Sequence, residues 1–219
     1  FRMLPKVVWQ MPRKGTFNLH ASLLPDYRGA APINWAIING ETTTGVTTFL
    51  IDEQIDTGAI LLRKEVAITQ RETAGTLHDK LMVVGADLVV DTLALIASDK
   101  AVPQPQPQPM VEKAAPKIHK ETSHIPWEKS LAEIDRFVRG MAPYPTAWAQ
   151  LHHEGELYAV KIYEATPQEA THTLSIGSVR VQDRHIEVAV QGGFLRIESL
   201  QFPSKKRMSG REFLNGFHF

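Results

Sequence analysis

The chain has 219 residues with 24 basic and 24 acidic side chains, so its formal net charge is zero, which excludes a uniformly basic nucleic-acid binder. Hydrophobic residues make up 43% and charged residues 22%, too apolar for a disordered chain. There is no cysteine, which excludes a disulfide framework, a thiol nucleophile and a thiolate-bound metal, and is compatible with a cytoplasmic location.

The chain opens Phe1-Arg2-Met3-Leu4-Pro5, without an initiator Met and without the charged-then-apolar pattern of a signal peptide, and reads as a piece of a longer protein. Residues 15–21 alternate apolar Phe17, Leu19 and Ala21 with polar Asn18 and His20, which predicts a strand. Residues 45–51, β-branched and apolar, predict a buried strand, and residues 59–68 predict one or two more. Residues 76–97 predict a helix with Leu77, Leu81, Val84, Leu88 and Leu95 on one stripe and a Thr76–Asp79 capping box. Its apolar run, residues 81–97, is broken by Asp87 and Asp91 and falls short of the roughly 18 residues of a membrane span, so no membrane partner is expected. Strands alternating with helices point to an α/β layer fold.

Residues 101–116 alternate proline with glutamine, and proline both fixes φ and removes a donor. An extended, semi-rigid surface spacer is expected, with a proline-rich ligand for another domain as the competing reading. The spacer divides the chain into domains 1–100 and 117–219. In the second, Ser130-x-x-Glu133 opens a short helix carrying Leu131, Ile134 and Val138 on one face, with Gly140 as its C′ glycine. Strand-like runs follow at residues 146–151, 157–165, 173–181, 185–190 and 194–202, separated by turn residues, and about five strands at this spacing predict a small barrel. Ser209-x-x-Glu212 opens a last helical turn.

Asn18 and His20, two apart in a strand, share a face. His20 can take a proton near neutrality, Asp56 can orient it, and the Asn18 amide can donate to a developing oxyanion, so the three make a candidate acyl-transfer site beyond the strand ends. The residues alone leave a plainer reading open: Asn18 capping a turn, His20 a satisfied core histidine and Asp56 in an Asp-Thr-Gly turn. His152-His153-Glu154 reads as a surface turn rather than a metal cluster, because neighbours in a strand point to opposite faces. Ser22 lacks the tight Gly-x-Ser-x-Gly context of a nucleophile. Lys205-Lys206-Arg207 with Arg211 is the densest basic run, either a solvated face or a phosphate-contacting patch.

The run Asn18-Leu19-His20-Ala21-Ser22-Leu23-Leu24-Pro25-Asp26-Tyr27-Arg28-Gly29 resembles the signature of the folate-dependent formyltransferases, and Asp56-Thr57-Gly58 lies where that family places its catalytic aspartate. Ile125-Pro126-Trp127, Arg139 with Pro143-Tyr144-Pro145, and the block from Leu200 to Gly216 are similar to the carboxyl-terminal domain of the tRNA-dependent branch. The resemblance implies a partial Rossmann-like formyltransferase domain followed by a small OB-like β-barrel domain that helps hold tRNA. It implies transfer of the formyl group of 10-formyltetrahydrofolate to the α-amino group of methionine on initiator tRNA, by a cytoplasmic monomer without metal. No DNA partner is expected. Asn18, His20 and Asp56 match the catalytic trio. Phe1, Arg2, Met3 and Leu4 match the segment that wraps the pterin, and Ile51, Glu53 and Ile55 match the loop on its other side. Ser22, Leu23, Leu24, Pro25 and Arg28 fall in the substrate loop. Lys205, Lys206, Arg207 and Arg211 become candidates for tRNA backbone contacts. The family's catalytic domain begins with a Rossmann-like half that these residues do not contain. The strand of Asn18 and His20 is therefore expected at a sheet edge, and the isolated 219 residues are expected to be poorly active. Two alternatives stand beside this reading: a formyltransferase acting on a small amine such as an amino-sugar nucleotide, and a non-catalytic RNA-binding fragment.

Overall fold

A computed structural model describes residues 4–108 and 111–219. The elements in chain order are α1 (Lys6–Trp9), β1 (Phe17–His20), β2 (Arg28–Gly29), α2 (Pro32–Ile38), β3 (Thr43–Leu50), β4 (Ile60–Ala67), α3 (Ala74–Ala97), β5 (Ala114–Ala115), α4 (Leu131–Met141), β6 (Ala147–His153), β7 (Glu156–Glu169), β8 (Val179–Gln182), β9 (His185–Val190), β10 (Gly193–Gln201), β11 (Met208–Ser209) and α5 (Gly210–Phe213). Contacts divide the chain into two units. The second comprises Ile37–Gly40, Arg71–Gly75 and Ile118–Phe219, and the first holds the remainder.

In the first unit β3 is central, because Val46, Thr47, Thr48 and Phe49 are all buried, as a continuous β-branched and apolar run requires. It pairs antiparallel with β1 on one side and β4 on the other, in the order β1-β3-β4. The register sets Asn18 opposite Phe49 and His20 opposite Thr47, with β1 as an end strand. Helix α3 buries Leu77, Leu81 and Leu88, each Leu contributing about 1.5–3 kcal/mol by leaving water. Gly85 brings α3 close to β1: a Cβ there would lie 2.7 Å from a methyl of Leu19. The helix starts at Ala74, so Thr76 falls within its first turn instead of capping it.

The proline-glutamine stretch, expected as an extended, semi-rigid surface spacer, also makes backbone pairings. Proline at every second position leaves the residues between with their N–H groups, and Gln104 uses both backbone groups in a bridge to Ile60. Farther on, Ala114 and Ala115 pair in parallel with Arg28 and Gly29 as β5 and β2. Gly29, at φ +124, is required there, since a Cβ would meet the Ala115 carbonyl oxygen at 2.4 Å.

The second unit is one antiparallel sheet in the order β6-β7-β10-β9-β8, with β11 on β10. It curls around Ile162, Val188, Val190, Leu195 and Ile197, and α4 lays Leu131, Ile134, Phe137, Val138 and Met141 on the same core. The strands β6 and β8 at its two ends are not neighbours, so the OB-like sheet is an open half-barrel. The Ser130–Glu133 capping box is present in full. Gly140 is not the C′ residue: it is buried inside α4, which ends at Met141 with Ala142 as an extended C-cap ahead of Pro143, where a residue preceding proline leaves the helical region. Strand β8 is shorter than predicted because Gly177, at φ +84, and the Ser175–Ser178 turn interrupt the extended backbone.

Candidate active site

Strand β1 ends at His20, and the chain then folds back through residues 21–27. Ser22 is fully buried and its hydroxyl donates to the Asp26 carbonyl at 2.6 Å, while Thr47 donates to the Ser22 carbonyl at 2.7 Å. That engagement gives Ser22 a loop-holding role. Leu24 is buried with Phe49 and Ile60, and Arg63 donates to the Leu24 carbonyl at 3.2 Å. The loop is thereby held against β3 and β4 by apolar burial and by satisfied backbone groups.

The turn returns the Tyr27 carbonyl to His20, whose Nε2 lies 2.8 Å from it. A carbonyl only accepts, so Nε2 carries the proton. That fixes the neutral tautomer and leaves the Nδ1 lone pair facing Asp56 Oδ2 at 3.6 Å, within ion-pair reach but beyond direct hydrogen-bond length. The two side chains are 8% and 14% exposed, so solvent screens the pair little. A proton added to the ring goes to Nδ1, toward the carboxylate. The same oxygen, Asp56 Oδ2, accepts from the Gly29 N–H at 3.0 Å, which tethers the carboxylate where it faces His20. Asp56 itself adopts φ 55, and Gly58 two residues on is obligatory, since a Cβ there would overlap the Leu50 carbonyl oxygen. Asn18 is half-buried on the same strand; its Oδ1 accepts from the Leu19 N–H at 2.9 Å, which leaves the amide hydrogens for another acceptor.

Leu4 is 49% exposed and Ile55 is 60% exposed, and the two belong to segments that a Lys6–Glu53 ion pair joins. Exposed apolar side chains beside a paired charge suit a planar ring with a polar edge. Ile51 is half-buried, with its N–H on the Thr16 carbonyl at 2.8 Å. Phe1, Arg2 and Met3 lie outside the described residues. Arg28 does not point freely into solvent. Its Nε reaches the Asp56 carbonyl at 3.2 Å and its guanidinium also engages Gln106. Behind the loop, Lys113 bridges Glu41 at 2.7 Å and Asp26 at 3.5 Å. Burial pushes the Glu41 carboxyl up, but hydrogen bonds from Lys113 and Tyr27 more than offset it and hold it below its ordinary value. The Glu41 bond in turn raises the Lys113 ammonium.

In the second unit, Lys205 and Lys206 are exposed. Arg207 is anchored, with Nε on Ser199 Oγ at 2.7 Å and its guanidinium over the Tyr163 ring. Arg211 donates to His185 Nε2 at 3.1 Å. His153 packs its ring on Phe217, as a surface turn allows. Among the described residues, no group of three or more His, Asp or Glu is placed to hold a metal, and no helix is long and apolar enough to cross a membrane.

Comparison with known proteins identifies the family. Residues 1–93 match the formyl transferase family and residues 117–218 match the formyl transferase C-terminal domain. The chain is thus built from both parts of a formyl transferase. It is 52% identical over 219 residues to a methionyl-tRNA formyltransferase of Flavobacterium psychrophilum, covering 100% of this chain and 69% of that one. It is 48% identical over 223 residues to the protein of the same name from Bacteroides fragilis, covering 100% of this chain and 69% of that one. The chain belongs to the methionyl-tRNA formyltransferase family. Among solved structures, HypX from Aquifex aeolicus in complex with tetrahydrofolic acid superposes with a TM-score of 0.74 at 20% identity, over 98% of this chain and 37% of that one. The methionyl-tRNA formyltransferase of Clostridium thermocellum superposes at 0.58 with 20% identity, over 77% of this chain and 69% of that one. Both show the shared fold.

Proposed function

We propose that the chain transfers a formyl group from 10-formyltetrahydrofolate to the α-amino group of methionine on initiator tRNA. The observation that carries this is a buried His20–Asp56 pair, with a fixed His20 tautomer, in a chain 52% identical to a methionyl-tRNA formyltransferase. A folate-type co-substrate follows from the family. The exposed Leu4 and Ile55 beside the Lys6–Glu53 pair support seating a pterin there.

In this reading the amine nitrogen bonds to the formyl carbon as the carbonyl π pair moves onto its oxygen, and the bond from that carbon to the folate nitrogen then breaks as the carbonyl re-forms. No protein nucleophile is needed. The Asn18 amide donates to the oxygen that becomes negative. His20 Nδ1 and the Asp56 carboxylate pass the amine's proton to the departing nitrogen, directly or through one water. Tyr27, holding Nε2, keeps the ring aimed for that transfer. Lys205, Lys206, Arg207 and Arg211 contact tRNA phosphates, with Lys205 and Lys206 the freer pair.

The test is formyl transfer from 10-formyltetrahydrofolate to Met-tRNA, run on these 219 residues and on a version spanning the relatives' full length. An amino-sugar nucleotide serves as a second acceptor. Formyl-Met-tRNA from the longer version carries the proposal, and a preference for the amino sugar overturns its substrate. Transfer by the 219 residues at the longer version's rate would overturn the expectation that they are poorly active alone.

A further inference from the structure

Three glutamines lie between the prolines of residues 103–109, and only one turns inward. Gln104 and Gln108 are exposed, whereas Gln106 is half-buried. Its Nε2 donates to the Asp56 carbonyl at 2.8 Å and to the Gly58 carbonyl at 2.9 Å. Its Oε1 accepts from Arg28 at 3.1 Å (Nε) and 2.6 Å (Nη2). Two donors and two acceptor sites are all that a primary amide has, and each is used. Only one orientation of the amide sets its hydrogens on two carbonyls and its oxygen on a guanidinium, so the network fixes the flip.

The turn it grips needs gripping. Asp56 sits at φ 55, a conformation that non-glycine residues avoid and that persists only where the surroundings over-determine it. The carbonyls on both sides of Thr57 are held by one side chain. The carboxylate between β1 and that turn is then left at 3.6 Å from His20 Nδ1. The backbone of the same segment is docked independently, through Gln104 on Ile60 and Ala114–Ala115 on β2, so Gln106 is presented by a fixed strand.

We infer that Gln106 is a positioning residue for the formyl-transfer site: it holds the Asp56–Gly58 turn so that the Asp56 carboxylate stays on His20, and it seats Arg28 of the substrate loop in the same act. The inference rests on the reading of Asp56 as the partner of His20. The proline-glutamine segment thereby serves as a strap across the site. Proline on each side of Gln106 removes competing N–H groups and stiffens the backbone that carries it.

The two halves of the amide separate in the variants. Gln106→Ala removes both contacts. Gln106→Glu keeps an oxygen for Arg28 but sets a second oxygen against the Asp56 and Gly58 carbonyls. In the native polypeptide, Gln106→Ala and Gln106→Glu are both expected to lower kcat about 10- to 100-fold, as a misplacement of about 1 Å does, with KM for the folate changed less than about threefold. Gln104→Ala is expected to match the wild type. A second readout is independent of turnover: the imidazole 15N spectrum, in which Gln106→Ala is expected to move the same ring resonance that Asp56→Ala moves. A Gln106→Glu variant with wild-type kcat would reduce the role to Arg28 and overturn the inference. So would a Gln106→Ala variant that melts lower while its His20 resonance stays in place. If the wild type transfers no formyl group, the functional reading fails by itself, and the ring spectrum still decides whether Gln106 governs the Asp56–His20 contact.

Discussion

At the scale of single residues, the His20–Asp56 pair sets the strongest expectation. Asp56→Asn keeps the shape and an oxygen for the Gly29 N–H, but removes the negative charge that faces His20 Nδ1. The turn keeps its Gly29 tether. Formyl transfer is expected to fall by about 10²–10⁴-fold, the range for losing a positioned acid–base group, with the melting temperature nearly unchanged. Single-turnover assays with Met-tRNA check it, and a loss below about threefold would remove Asp56 from the chemistry. The alternation of residues 17–21 was enough to put Asn18 and His20 on one face. The plainer reading of His20 as a satisfied core histidine is half true: Nε2 is satisfied by Tyr27, and Nδ1 is aimed at Asp56. No local pattern marks the Tyr27 carbonyl as a partner, because a backbone group has no letter in the sequence.

At the scale of elements, helix α4 shows how far local signals reach. Ser130 accepts from the Glu133 N–H, and the Glu133 carboxylate returns to Ser130. Ser130→Ala is expected to lower stability by about 1 kcal/mol, read by urea unfolding followed by circular dichroism. A change below about 0.3 kcal/mol would mean that packing alone fixes the helix start. Capping boxes and apolar stripes are legible because both partners lie within one or two turns of each other. The end of the same helix was less legible: Gly140 carries the expected C′ signal, yet the helix continues past it into the core. The proline-glutamine segment was legible only in part for a similar reason. Its composition determined an extended backbone, while its docking depends on Ile60 and Arg28, about 44 and 78 positions away in the chain.

At the scale of the whole molecule, distant charges meet across strands. Arg180 on β8 and Arg196 on β10 both grip Glu187 on β9, at 2.8 and 3.0 Å. Burial pushes the Glu187 carboxyl up, and the hydrogen bonds from Arg180 and Arg196 more than offset it, so it is held below its ordinary value. A carboxyl lowered on folding stabilises the fold above its unfolded pKa and loses that contribution as pH falls through the folded one. Glu187→Gln is therefore expected to cost about 1–3 kcal/mol at pH 7, a figure discounted because both arginines are about a third exposed, and to cost much less near pH 2. Urea midpoints for wild type and variant at the two pH values check the sign. An equal gap at both would assign the loss to packing.

The sequence by itself determined the element types, the strand that carries Asn18 and His20, the buried β3, the cap of α4 and the family signature around residues 18–29 and 56–58. Each rests on neighbours in the chain, where period and spacing carry the physics. Only the tertiary structure decided that the second sheet is an open half-barrel, that His20 is clasped between Tyr27 and Asp56, and that Gln106, in the segment after α3, holds the turn. Those contacts are chosen by which buried donors and acceptors find one another once the chain has folded, and nothing local in the sequence records that pairing.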